Sequence, residues 1–245
     1  MRAGAGLVTL AAPRSLNTVF AASLVEVMTE PLRDNDVEET EPLSDDEWES
    51  LLARKNAVLF GPGIGVSDGA QNMLHWLLRH LTVPWVIDAD GLNLLAMDLG
   101  RLRHAKTAPI LTPHPGEMAR LVGKETAAVN ADRIGIARAF ALDYHCHVVL
   151  KGARSVIAGA DGQVFINPTG NPGMASGGMG DVLAGILTAL LGQGLPPVDA
   201  MKLGVFLHGF VGDQVARSQG EIGLIASDII DGLPAGLSRL AALIS

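Results

Sequence analysis

Short apolar runs without two-residue alternation set the strongest limit on what this chain can become. They cover residues 7–11, 24–29, 57–60, 85–87, 109–111 and 148–150. A strand with one wet face must alternate apolar and polar residues; a strand covered on both faces need not. These runs therefore predict buried strands of a parallel sheet with helices on both sides. Helical patterns fill the intervals. Residues 68–80, 127–142, 179–191, 199–218 and 227–244 each predict a helix, and Ser44 with Glu47 predicts a capping box ahead of Trp48, Leu51 and Leu52. Asp161 and Gly162, between the β-type runs 155–158 and 164–166, predict a hairpin. Strand–helix alternation followed by a helical block implies one three-layer α/β domain over residues 1–245.

Composition supports a folded core and narrows the partners. The chain has 245 residues, 48% of them hydrophobic, and 29 glycines. That glycine content suits tight loops that approach small ligands closely. The net charge of −8 is local, because residues 34–50 hold nine acidic side chains and no Lys or Arg. Elsewhere 17 acidic residues face 18 basic ones, so no basic patch argues for nucleic acid. Cys146 is the single cysteine, which rules out a disulfide framework and a cysteine-based metal cluster, and fits a reducing cytoplasm. No apolar run reaches the roughly 18 residues of a membrane-spanning helix. The first residues superficially resemble a signal peptide, with Arg2, an apolar middle and Ala11-Ala12-Pro13. Their glycines and their continuation into a strand-like run argue instead for folded chain.

Several candidate loops follow strands, where open α/β sheets bind ligands. The strongest spans residues 171–185, from Asn171 and Pro172 through clustered glycines to Gly180, Asp181 and a helical pattern from Val182. Small residues let amides approach an anion, and the helix start adds partial positive charge. A carboxylate there is a poor anion binder but a suitable base for a substrate hydroxyl, so Asp181 is the candidate base. The spacing is neither a Rossmann fingerprint nor a Walker loop. Lys151, Gly152, Ala153, Arg154 and Ser155 follow the run 148–150, and Lys151 and Arg154 are candidates for phosphate oxygens. Thr112, Pro113, His114, Pro115, Gly116 and Glu117 follow the run 109–111; His114 could orient substrate, and Glu117 could hold magnesium through water. Gly61, Gly63 and Gly65 offer backbone to a flat or polyphosphate ligand. Asp88 and Asp90 follow the run 85–87 and either support magnesium or cap the next helix, the cap being the simpler reading. His75, His80, His145 and His147 lack metal-site spacing, His208 reads as packed, with an adenine as a candidate neighbour, and Trp76 and Trp85 read as core.

On these residues the chain resembles the ADP-dependent NAD(P)H-hydrate dehydratase family. The resemblance is carried by Gly4-Ala5-Gly6-Leu7-Val8, residues 61–65, 88–93 and 112–117, 151–155 and 171–185, in family order over almost the whole length. It implies a ribokinase-like fold, with a mainly parallel central sheet covered by helices. It also implies a hydro-lyase that phosphorylates the ring hydroxyl of hydrated NADH or NADPH with ADP, then loses phosphate to restore the double bond. Under this resemblance Asp181 is the catalytic base. Gly180 and Lys151 to Ser155 hold the nucleotide, Gly63, Gly65 and His114 contact substrate, and Glu117 is linked to Mg2+. A homo-oligomer, a tetramer being one form, is implied as well. Family members usually begin earlier, with a glycine-rich turn and a helix before the Gly4 segment, whereas here Met1 falls just before it. Sugar and vitamin kinases of the same fold usually carry Asn where His114 stands, so His114 favours the dehydratase over a small-molecule kinase. A nucleotide-binding module without turnover is the third reading.

Overall fold

Trp85 and Ile87 face one layer of helices while Val86, between them, faces the other. That arrangement is why the run 85–87 shows no alternation. The computed structural model describes residues 1–34 and 41–242. Among them the strands are β1 (Thr9–Pro13), β2 (Met28–Leu32), β3 (Val58–Phe60), β4 (Trp85–Ile87), β5 (Ile110–Leu111), β6 (His147–Leu150), β7 (Val156–Ala158) and β8 (Val164–Ile166). The α-helices are α1 (Asn17–Ser23), α2 (Asp45–Leu52), α3 (Asp68–His80), α4 (Asp90–Met97), α5 (Pro115–Val122), α6 (Thr126–Ala131), α7 (Arg133–Tyr144), α8 (Met179–Gly192), α9 (Pro197–Gln219) and α10 (Ala226–Ala242). None is long and apolar enough to cross a membrane.

The central sheet has the order β3-β4-β5-β6-β7-β8. β3 to β6 pair in parallel, while β7 and β8 return as an antiparallel hairpin, with Val148 opposite Ala158 and Val156 opposite Ile166. Ile87, Leu111, Val148 and Leu150 pack with side chains of α2 to α7 on one face. Val86, Ile110, Val149 and Ile157 pack with α8, α9 and α10 on the other. The result is a three-layer α/β architecture, and the expected hairpin turns at Gly162 with φ +80°.

Local signals explain the helix limits. Ser67 Oγ accepts from the Ala70 amide at 3.2 Å, so α3 begins where the glycine loop ends. Ser67→Ala is expected to cost about 1 kcal/mol. In a domain of this size that lowers the melting temperature by roughly 2–4 °C; an unchanged melting temperature would show that the cap contributes nothing. The capping box at α2 is present: the Ser44 amide donates to Glu47 Oε2 at 2.7 Å and Ser44 Oγ accepts from the Glu47 amide. Of the acidic segment, residues 35–40 lie outside the described residues.

Two expectations need correction. Residues 127–142 are not one helix. Asp132, at φ −141° and ψ 65°, ends α6 and caps α7 by accepting from the Gly135 amide at 2.8 Å. A short polar side chain that can bond the backbone two or three residues on breaks a helix more readily than its neighbours' periodicity reveals. Residues 7–11 and 24–29 also do not join the covered sheet. The observed strands β1 and β2 form a separate parallel pair that is mostly half-exposed or exposed. Leu7 is 80% and Val25 89% exposed, so lack of alternation there does not reflect burial on both faces.

Candidate active site

Parallel strands β3 to β6 all end at the same edge of the sheet, so the loops that follow them share it. The first two loops interlock. A Cβ on Gly61 would fall 1.9 Å from the Asp88 carbonyl oxygen, and Gly61 sits at φ +129°, so only glycine fits. Gly63 and Gly65 also lie at positive φ, and the Gly65 amide donates to Asp90 Oδ2 at 3.0 Å. Asp90 in turn accepts from Asn93, whose amide oxygen accepts from Arg120. The glycine loop is thus tied to α4 and α5.

Asp88 does not cap α4. Its main-chain oxygen accepts from the Gly91 amide, and the residue before α4 is Ala89, at φ 49°, with no side-chain cap. The Asp88 carboxylate is 1% exposed and pairs instead with Lys151 Nζ at 2.7 Å. A buried carboxylate requires such a partner, since an unpaired one is costly. Lys151 Nζ also lies 3.8 Å from Glu117 Oε2, so one ammonium joins the loops after β4, β5 and β6.

His114 and Glu117 form a capping box at α5. The His114 amide donates to Glu117 Oε2 at 2.7 Å, and His114 Nδ1 accepts from the Gly116 and Glu117 amides at 3.0 and 3.3 Å. With Nδ1 accepting, the neutral ring carries its proton on Nε2, 3.6 Å from Glu117 Oε1. Half of the His114 side chain remains open to solvent and to a ligand.

The glycine-rich loop enters from the other side. Gly178, at φ +81°, precedes α8, and a Cβ on Gly180 would sit 3.1 Å from Lys151 Nζ and 3.8 Å from Asp88 Oδ2. Gly180 therefore lets the start of α8 lie against the ion pair. The next residue, Asp181, has its carboxyl raised above the ordinary value, by burial first and then by the Asp88 charge, with Lys151 opposing. A base lifted toward neutrality accepts a proton more readily than an ordinary aspartate. Behind the loop, Asp213 on α9 accepts from the Gly170 amide and from Asn171 Nδ2, both at 3.0 Å. His208, also on α9, is packed as expected. Burial lowers its ring to about 4, so it is neutral, and among the described residues its buried Nε2 has no hydrogen-bond partner.

The structure thus brings together Asp181, Gly180, Lys151, Glu117 and His114, with Gly61 to Asp90 at their flank. Arg154 is exposed, at φ 56°, and Ser155 Oγ donates to the Gly152 carbonyl at 3.1 Å. Asp213 and Arg133, which border these loops, were not candidates from sequence, and Asp88, weighed there for magnesium or a helix cap, pairs with Lys151 instead. Arg133 grips the carbonyls of Leu150, Lys151 and Ala153. No sequence signal marked it, because the predicted helix over residues 127–142 placed it in a helix interior, whereas the structure starts α7 at Arg133.

Oxygen ligands suit magnesium, yet these residues do not form a protein cage for it. Glu117 Oε2 is taken by a backbone amide, and Asp88 and Glu117 already share the Lys151 ammonium. Among the described residues no three His, Cys, Asp or Glu side chains are grouped as metal ligands.

A family model described as NAD(P)H-hydrate dehydratase matches residues 1–235. The bifunctional NAD(P)H-hydrate repair enzyme of Moorella thermoacetica is 45% identical over 243 residues, covering 98% of this chain and 45% of that protein. The chain thus spans under half the length of this relative. The crystal structure of the ADP/ATP-dependent NAD(P)H-hydrate dehydratase from Bacillus subtilis, co-crystallised with ATP/Mg2+ and soaked with CoA, aligns with a TM-score of 0.78 at 27% identity. The alignment covers 98% of this chain and 83% of that one. A ribokinase-like superfamily protein from Enterococcus faecalis aligns with a TM-score of 0.79 at 25% identity, over 97% of this chain and 78% of its own. The fold is therefore ribokinase-like.

Proposed function

The chain belongs to the NAD(P)H-hydrate dehydratase family, and from that membership we propose that it returns hydrated NADH and NADPH to their reduced forms with ADP as phosphoryl donor. The observation that carries this reading is the placement of Asp181. A carboxylate of raised basicity stands at the start of α8 beside Gly180 and the Lys151 ammonium. One group takes a proton from an alcohol while the others face a diphosphate.

Hydroxide is a poor leaving group and phosphate a good one. Asp181 removes the proton of the ring hydroxyl, and the freed oxygen attacks the terminal phosphorus of ADP. The bond to the bridging oxygen breaks, and AMP leaves. The carbon–oxygen bond then breaks, phosphate departs, a proton leaves the adjacent carbon, and the ring double bond returns. Lys151 and the amides at the start of α8 balance the phosphate charge, which supplies most of the catalysis together with alignment. His114 Nε2 and the Gly63–Gly65 backbone contact the substrate. Magnesium bound with the nucleotide would neutralise phosphate charge there, and Glu117 would be the residue to hold it, through water.

The reaction is read by recovery of the reduced-nicotinamide absorbance when purified protein meets hydrate, magnesium and ADP, with ATP in a parallel run. Recovery with ADP is expected. Consumption of nucleotide with a phosphorylated product but no recovery would make the protein a kinase, and recovery with ATP alone would overturn the donor.

The pH dependence has a fixed sign. Asp181 acts as carboxylate, and its raised value places the acidic limb of kcat/KM above the ordinary aspartate position. Asp88→Asn removes the like charge and should move that limb to lower pH. A limb that stays in place would show that another group titrates. For stability the same shift works oppositely. The folded chain holds this proton more tightly than the unfolded chain, so the contribution favours the fold at low pH and is lost as pH rises through the folded value.

A further inference from the structure

Arg133 opens α7, yet its side chain ends beneath the turn that joins β6 to β7. Nη1 donates to the Ala153 carbonyl at 2.6 Å, and Nη2 donates to the Leu150 and Lys151 carbonyls at 2.9 and 3.1 Å. A Cβ on Gly152 would lie 3.1 Å from Nη2, and Gly152 sits at φ +135°, so a side chain there would be strained and would press on the guanidinium.

A trans peptide is planar, and its C=O and N–H point in opposite directions. Each carbonyl drawn to Arg133 therefore turns the next amide away from it. The first case is visible: the Leu150 carbonyl faces Arg133, and the Lys151 amide donates outward to the Pro113 carbonyl at 2.8 Å. The Lys151 and Ala153 carbonyls impose the same on the amides of Gly152 and Arg154. Neither of those amides has a backbone acceptor among the described residues. Amides turned outward within one turn make an anion-binding concavity, and here they are those of Gly152 and Arg154, on either side of Ala153.

We propose that Arg133 is a positioning residue, which by gripping three carbonyls turns the Gly152 and Arg154 amides outward together as a cradle for the diphosphate of the donor, beside the Lys151 ammonium. This rests on the nucleotide-dependent reading given above. Arg133 touches no substrate; it acts through the backbone of the turn. A fork is required, since one ammonium cannot hold carbonyls spread over the whole turn.

The test titrates ADP into the full chain by calorimetry, alongside steady-state kinetics. Arg133→Met should weaken ADP binding about 10-fold or more, with kcat changed by less than about 3-fold, because the amides bind the donor before and during reaction alike. Arg133→Lys should recover part of that loss. A folded Arg133→Met protein that binds ADP as the wild type does would overturn the proposal, as would a loss confined to kcat. Should Arg133→Met not fold, the wild type decides by amide NMR: ADP must shift the Gly152 and Arg154 amide signals, and binding that leaves both unmoved overturns it. The two readings fail differently. Wild-type protein that binds ADP but restores no reduced nicotinamide ends the dehydratase reading alone. Wild-type protein that binds no nucleotide ends both.

Discussion

Asp181→Asn is expected to lower kcat for hydrate dehydration by about 10²–10⁴-fold, the usual contribution of a positioned general base. The replacement keeps the shape of the side chain and the start of α8 but removes the proton acceptor. Donor binding should survive, because the anion-binding amides and Lys151 stay in place. Losing the negative charge could even tighten ADP, since Asp181 lies at the helix end where the phosphates gather. The measurements are single-turnover recovery of the nicotinamide band and calorimetric ADP affinity on one preparation. Near wild-type turnover would remove Asp181 from the chemistry. Equal losses of binding and turnover would make it a structural residue of the α8 start.

Lys151→Met should produce the largest change in stability. The substitution leaves the Asp88 carboxylate, 1% exposed, without its counter-ion. Removing one partner of a buried pair typically costs about 3–5 kcal/mol. In a chain of this size that is a fall in melting temperature on the order of 10 °C. Catalysis should disappear too, because the ammonium also serves the phosphates. The two effects separate in the double variant Lys151→Met with Asp88→Leu. An apolar pair of similar volume is often as stable as a buried ion pair, so the melting temperature should return while activity stays absent. If the single variant melts like the wild type, the pair carries little of the fold.

The central sheet was legible because burial on both faces leaves a pattern within each strand. Residues 85–87 and 148–150 carry that pattern and became β4 and most of β6. The hairpin after them was legible from Asp161 and Gly162, whose backbone needs are local. Residues 179–191 were legible as a helix because glycine and acid precede an apolar run, and α8 follows that reading closely. β1 and β2 were misplaced because composition shows that a segment is β-like without showing what covers its second face. The candidate residues that the structure groups together were those whose neighbours in sequence advertise them. Asp88 was misread because its partner lies 63 residues away. Asp213 reaches back 43 residues to Gly170, and Arg133 reaches 20 to Ala153. Such pairings are products of chain topology, and no local spacing encodes them.

The turn at residues 151–155 is short and is stitched at both ends into the antiparallel ladder of β6 and β7. A connection fastened this way has little freedom to surrender when a donor arrives. Preorganisation of this kind makes affinity depend less on an ordering penalty and more on the contacts themselves. Under the proposed reading the donor meets a fixed seat, and whatever must move in a catalytic cycle has to be sought elsewhere in the chain.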